Sequence, residues 1–158
     1  MLTRALAEAD WHQVAALEAA TYRDLGLSEG LAGLRSRAGA GTSFVFEADG
    51  VVVGYLLALP YPYGRFPDLL LPEPAPDRHA NLHLHDMAVA AGHRGAGLGR
   101  RLAGHLLAVA RAHGYERVSL VALEGRDAFW ARQGFHPQPS VPPPAGYGPG
   151  ATYLSRLL

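Results

Sequence analysis

The spacing of apolar positions changes period several times along the chain, and each change marks an element. Leu2 to Leu6 reads as a first strand. Asp10 can cap a helix through about Tyr22, in which Trp11, Val14, Ala15, Leu17 and Glu18 form a mostly apolar stripe. Ser28 to Arg37 predicts a shorter helix, closed by Gly39-Ala40-Gly41. Thr42 to Ala48 and Val51 to Leu59 are strands joined by Asp49-Gly50, a hairpin signal. Asn81 to Ala90 alternates as another strand, with Leu82, Leu84 and Ala88 set against His83, His85 and Met87. A long helix follows from Gly97 to His113, with Leu98, Leu102, Leu106 and Val109 on one face. Tyr115 to Leu123 is rich in β-branched residues and predicts a strand. Arg126 to Gln133 predicts a short helix stopped by Gly134. A weak strand near Phe135 and a last one from Ala151 to Leu158 complete the chain. This order predicts an α/β fold: one mixed sheet with helices on both faces, in a single domain over residues 1–158.

The passage from Asn81 to Gly99 organises the rest. A strand runs into a glycine turn and then directly into a helix N-terminus, where unpaired N–H groups and the helix dipole favour an anion. A Cβ in such a turn would hold a phosphate away from the backbone. The dinucleotide fingerprint fails, because Gly95-x-Gly97-x-Gly99 is followed by Arg100 where its last glycine would stand. The phosphate-loop pattern fails as well, since no Gly-Lys-Ser/Thr is present. What fits is Arg94-x-x-Gly97-x-Gly99 after a strand ending in Met87-Ala88-Val89.

That pattern resembles the pyrophosphate-binding signature of the GNAT N-acetyltransferases, which seat coenzyme A on it. Leu-His-Leu-His-Asp-Met-Ala-Val before the turn, and Phe129 to Pro137 after the fifth strand, are similar to the arylalkylamine (serotonin-type) branch. That branch carries a His-x-His pair six and four residues before the strand's valine, the positions of His83 and His85 relative to Val89. The resemblance implies a mixed, mostly antiparallel GNAT-type sheet and acetyl-CoA as cosubstrate, without a metal. It implies cofactor contacts from Met87, Ala88 and Val89 on the strand, and from Arg94, Gly95, Ala96, Gly97, Leu98, Gly99 and Arg100 in the turn and helix start. Met87 and Val89 would pair with the pantetheine arm through their backbone. A strand N–H on the thioester carbonyl would act as an oxyanion site.

A thioester is already activated, so the protein must deliver a neutral amine and align both partners. His83 and His85 share a strand face, and imidazole titrates in the useful range. By the residues alone the pair can equally be half-buried polar side chains or a His-x-His metal site; beside the GNAT motif, acid/base work is the reading adopted. Asp86 nominally faces the other way, but a strand bulge would re-aim it, which makes it a secondary candidate. GNAT enzymes often place a tyrosine four residues before the Gly-Phe that ends the short helix. Here Trp130 stands there, and its indole N–H cannot act as a general acid at neutral pH. Trp130 is expected along the acyl or pantetheine path, or in the core.

Composition narrows the classes further. Apolar residues make up 49% of the 158 residues, with no run near the ~20 needed to span a membrane. Residues 1–9 lack the basic start and apolar core of a signal peptide, and a cytoplasmic location is expected. The absence of cysteine rules out disulfides, thiolate metal sites and a cysteine nucleophile. Fourteen basic residues, all arginine, balance fourteen acids, which leaves no footprint for nucleic acid. The balance is uneven along the chain: Glu47 to Asp86 carries six acids against Arg65 and Arg78, while Gly92 to Arg117 carries five arginines against Glu116. All twelve prolines fall in Pro60–Pro76 and Pro137–Pro149. Tyr61, Tyr63, Phe66 and Tyr147 give those two long loops aromatic walls suited to an acceptor site.

These readings combine into an acetyl-CoA-dependent N-acetyltransferase acting on a small primary amine by direct attack in a ternary complex. A peptide or protein N-terminus as acceptor, a silent acyl-CoA-binding module, and a metal site on His79, His83, His85 and His136 are the alternatives. A homodimer is compatible with the sequence.

Overall fold

The computed structural model describes residues 2–158. Seven strands form one sheet: β1 (Leu2–Ala5), β2 (Phe44–Ala48), β3 (Val51–Pro60), β4 (Asn81–Val89), β5 (Arg117–Ala122), β6 (His136–Pro137) and β7 (Thr152–Leu157). Their order across the sheet is β1-β2-β3-β4-β5-β7-β6. Every neighbouring pair is antiparallel except β4 and β5. That parallel pair requires a crossover, which α3 (Leu98–Ala112) supplies. The other helices are α1 (Trp11–Tyr22), α2 (Leu31–Ser36) and α4 (Asp127–Arg132). No helix among the described residues is long and apolar enough to cross a membrane.

Strand alternation divides the core in two. Phe44, Phe46, Leu56, Leu82 and Leu84 pack with Leu102 and Leu106 of α3 on one face. Val45, Tyr55, Leu57 and Ala88 pack with Trp11 and Val14 of α1 and Leu34 of α2 on the other. The sheet is the predicted one, helices on both faces included. The β2–β3 turn has Asp49 at φ 51° and Gly50 at φ 78°, the paired positive values a tight hairpin needs.

Two boundaries differ from the sequence reading, each for a local reason. Asp10 does not cap α1. It already has helical φ and ψ, and its carboxylate accepts the Ala7 N–H (2.8 Å) and the Arg4 guanidinium (2.8 and 2.9 Å). The second helix starts at Leu31 and not near Ser28, because Gly30 sits at φ 80° and interrupts the helical path. The segment between α1 and α2 is thereby freed as a loop, and it carries Glu29 toward β4.

Candidate active site

The turn between β4 and α3 has the geometry of an anion seat. Gly95 and Gly97 adopt φ of 83° and 79°, values that strain any L side chain. The first α3 bond joins the Arg101 N–H to the Gly97 carbonyl, which leaves the N–H groups of Leu98, Gly99 and Arg100 without helical partners. Arg94, Gly95, Ala96, Gly97 and Arg100 are exposed around this opening. Leu98 contributes only backbone, since its side chain lies in the α3-side core. Arg94 is partly engaged, with Nε donating to the Val89 carbonyl at 2.9 Å.

Strand β4 opens beside this turn. Its pairing with β5 covers only Asn81–Leu84 against Arg117–Leu120. Beyond Leu84 the β5-facing edge has no strand partner among the described residues. On the other edge, Ala88 opposes Tyr55, and the Ala90 N–H bonds the Val53 carbonyl. Alternation therefore turns the backbone of Met87 and Val89 outward and that of Ala88 inward to β3. The Met87 and Val89 carbonyls are already taken, by the Tyr22 hydroxyl (3.0 Å) and by Arg94, so their N–H groups are the free donors. Ala88, expected among the cofactor contacts, instead gives its backbone to β3 and its side chain to the α1-side core.

A bulge reorganises the face of β4. Leu57 opposes Asp86 and Ala58 opposes Leu84, so His85 is an extra residue with no partner on β3. The strict alternation of the sequence reading breaks at this point. Met87 and Val89 pack with Leu82 and Leu84 toward α3, while Asp86 and Ala88 join His83 on the opposite face. Asp86 is thus re-aimed to the histidine side.

The three candidate acid/base groups have different environments. His83 is 1% exposed and stacks on Tyr153, with centroids 6.3 Å apart. Asn81 Nδ2 donates to Ser119 Oγ at 2.8 Å, and the Ser119 hydroxyl lies 2.8 Å from His83 Nδ1. Burial, reinforced by His85 and Arg37, pushes the His83 imidazole down to about 3. His83 is therefore a neutral, weakly basic imidazole at physiological pH, packed on Tyr153 and beside the Ser119 hydroxyl. Asp86 is held by the Tyr55 hydroxyl at 2.6 Å, and burial pushes its carboxyl up to about 6 against that bond and His85. The side chain of His85 is also buried, with Nε2 at 2.6 Å from Glu29 Oε2 and, among the described residues, no partner for Nδ1.

Glu29 was invisible in the sequence because no motif surrounds it. Its Oε1 accepts from Nε and Nη2 of the fully buried Arg37, at 3.0 and 2.9 Å. Burial would raise the Glu29 carboxyl, but the bond to His85 and the charges of His85 and Arg37 outweigh it and hold the group below its usual value. Arg37 also donates to the carbonyls of Asp68 and Leu71, both at 2.8 Å, and so ties the first proline-rich loop to α2. Arg37 Nη1 lies 3.5 Å from Glu73, which accepts the Tyr61 hydroxyl at 2.9 Å.

The two proline-rich loops meet over the same end of the sheet. Tyr147 donates its hydroxyl to the Pro67 carbonyl and sets its ring edge-on to Phe66, 5.6 Å away. Between the loops lies a cleft of about 420 Å³ lined by Tyr61, Gly64, Arg65, Phe66, Asp68, Glu73, Val141 and Pro142. Tyr61 is 5.9 Å from the His83 ring, so the cleft borders the histidine face. The four histidines considered as a metal set do not converge: among the described residues, no group of three or more His, Asp or Glu could hold an ion.

The Acetyltransferase (GNAT) family model matches residues 6–135. The chain belongs to this family. Among curated proteins, none matches the sequence. In fold the acetyltransferase is similar to Ard1 from Thermoplasma volcanium, with TM-score 0.76 and 20% identity over 99% of this chain and 97% of that one. It is also similar to the ribosomal-protein-S18-alanine N-acetyltransferase of Escherichia coli, with TM-score 0.72 and 15% identity over 99% and 92% of the two chains. An aminoglycoside 6'-N-acetyltransferase complexed with coenzyme A gives 0.71 and 13% over 99% and 97%. At these identities the likeness is one of fold.

The residues present in this acetyltransferase fit coenzyme A. Free N–H donors at the α3 start suit a pyrophosphate, and the outward Met87 and Val89 N–H groups suit an amide-bearing arm. Trp130 does not line that edge: it is 7% exposed and packs edge-on to Phe129 and Phe135 in the core. Tyr147 and Tyr153 do not replace the missing tyrosine as ready acids. Tyr147 and Tyr153 are both buried, and burial raises both hydroxyls above their usual value.

Proposed function

We propose that this acetyltransferase transfers the acetyl group of acetyl-CoA to a small primary amine by direct attack in a ternary complex. The observation that carries this reading is the cleft between the proline-rich loops, whose volume of about 420 Å³ falls in the range of small-molecule sites. Tyr61 and Phe66 give it aromatic walls, and Asp68 and Glu73 give it acidic ones. Both favour an ammonium group and an aromatic body, so arylalkylamines head the candidate acceptors. Acetyl-CoA supplies the activated thioester. The chain's own task is to align the amine and remove its proton, and His85 and Asp86 are the groups proposed for it. A peptide or protein N-terminus is the second reading, supported by the exposed Leu70 and Leu71 next to the cleft, at 88% and 62%.

A thiol-release screen with acetyl-CoA and a panel of amines tests the proposal. The chain has no cysteine and no lysine, so its own thiols and lysine self-acetylation give no background. Phenethylamine-like amines or polyamines should turn over faster than amino acids or N-terminal peptides. Faster turnover of peptides would replace the small-amine reading with the second one.

A further inference from the structure

We infer that Glu29 is a positioning residue for the transfer: with Arg37 behind it, it fixes His85 with a proton on Nε2, so that Nδ1 presents the lone pair that takes the acceptor's proton. The inference rests on the proposed transfer to an amine. It starts from hydrogen-bond bookkeeping at Glu29. Oε1 accepts two Arg37 donors, from Nε and Nη2, and Oε2 faces His85 Nε2 at 2.6 Å. A carboxylate already bonded to a buried guanidinium is ionised and can only accept. The proton in the short contact therefore belongs to His85 Nε2. In the base form, which carries one N–H, Nδ1 is then the acceptor. Nδ1 is buried and has no partner among the described residues, which is costly for a polar atom unless something meets it in the working complex.

The proton inventory balances. The acceptor's ammonium loses one proton to His85 Nδ1 and becomes the neutral nucleophile. The resulting imidazolium has N–H on both nitrogens, and its charge is met by the Glu29 carboxylate. Four further groups bear on His85. Asp86 and His83 come from β4, with the His83 ring 6.4 Å away. Arg37 stands behind Glu29, and Tyr55 holds Asp86. Only Glu29 touches an imidazole nitrogen of His85 among the described residues.

The Arg37 contacts add a second role to the same carboxylate. Arg37 Nη2 bonds the Asp68 and Leu71 carbonyls and Glu29 Oε1 together. One guanidinium thus sets both the cleft loop and, through Glu29, the imidazole. This ties acceptor placement to base placement across β4 and the α1–α2 loop.

The first measurement needs no variant. Long-range ¹⁵N NMR of the labelled wild type, with His85 assigned by His85→Asn, reads the tautomer of its base form. Nε2–H with an unprotonated Nδ1 is expected, and an Nδ1–H tautomer would overturn the proposal. The second uses Glu29→Gln, which keeps an oxygen for Nε2–H but removes the charge. Its kcat/KM should fall about 100-fold, and the acidic limb of its pH profile should move to lower pH. Glu29→Asp should recover part of the loss, and KM for acetyl-CoA should stay within about twofold of wild type. Superimposable pH profiles for wild type and Glu29→Gln would overturn the proposal. If Glu29→Gln fails to fold because Arg37 loses its partner, the wild-type tautomer decides alone. If no amine turns over while coenzyme A still binds by calorimetry, the small-amine reading fails, and the NMR result still stands for or against Glu29.

Discussion

Replacing His83 by glutamine should change how the protein tolerates acid, in a way that tells a buried neutral imidazole from a proton carrier. The imidazole is pushed from 6.5 to about 3 in the folded state by burial, with His85 and Arg37 adding to it. Folding then excludes a proton that the unfolded chain binds below pH 6.5. The stabilising contribution is full above that value and is lost as pH falls toward 3. Asp86 acts with the opposite sign: its carboxyl is raised from 3.8 to about 6, so its contribution is lost as pH rises through that window. In the wild type the two effects offset each other between about pH 4 and 6. Glutamine can keep a hydrogen bond to Ser119 and does not titrate. It should destabilise the protein at pH 7 through imperfect packing against Tyr153. At about 1.4 kcal/mol per pKa unit, the gap to wild type should then shrink by roughly 3 kcal/mol on going to pH 4. Urea titrations followed by fluorescence suit the measurement, since Trp11 and Trp130 are buried in the cores on opposite faces of the sheet. A gap that is the same at pH 7 and pH 4 would show that His83 is not held neutral by burial.

Gly97→Val should weaken coenzyme A binding about tenfold in calorimetry by displacing the turn's N–H donors. It should also cost about 1–2 kcal/mol of stability, because Gly97 sits at φ 79°. No atom outside the turn lies within 4 Å of the position the new Cβ would take, so the fold itself should survive. Tyr55→Phe removes the hydroxyl that donates to Asp86. It should cost about 1–3 kcal/mol at pH 7.5 and less at pH 5, where the carboxyl is protonated; equal losses at both values would exclude an ionised Asp86 at neutral pH. Arg37→Gln leaves the buried Glu29 carboxylate without its guanidinium. A loss of about 3–5 kcal/mol and faster proteolysis around Asp68–Leu71 are expected in denaturation and limited-digestion assays.

Every strand and helix of the sheet was legible in the sequence, because period and turn chemistry are local. The hairpin at Asp49-Gly50, the glycine turn before α3 and the stop at Gly134 each rest on a few adjacent residues. What failed depended on residues far apart in the chain. The alternation of β4 looked unbroken because a bulge is defined against the partner strand, and nothing in Leu-His-Leu-His-Asp-Met-Ala-Val marks His85 as the extra residue. Glu29 and Arg37 fall within the short helix that the sequence predicts from Ser28 to Arg37, with no motif around them; the helical path breaks at Gly30, φ 80°, and both side chains are buried. Half of the acids from Glu47 to Asp86 have side-chain partners within the fold, with Glu47 on Arg4, Glu73 on Tyr61 and near Arg37, and Asp86 on Tyr55. Trp130 lies in the α3-side core for a similar reason, since α4 lays it against Phe135.

The extra residue in β4 also accounts for how the two halves of the site come together. A bulge bends its strand and increases the local twist. Here β4 and β5 stop pairing after Leu84 and Leu120, one residue before the bulge at His85. The same irregularity thus opens the β5-facing edge where the Met87 and Val89 N–H groups are free, and turns Asp86 to the face of His83 and His85. Without it, the strict period of two would place Asp86 among Leu82 and Leu84 in the α3-side core, where a carboxylate has no partner, and Met87 against Tyr55 and Leu57. Removing the bulge would therefore cost a buried charge as well as the open edge. The cofactor side and the acceptor side of β4 are in this sense one structural feature, set by the single residue that the β3 register leaves unpaired.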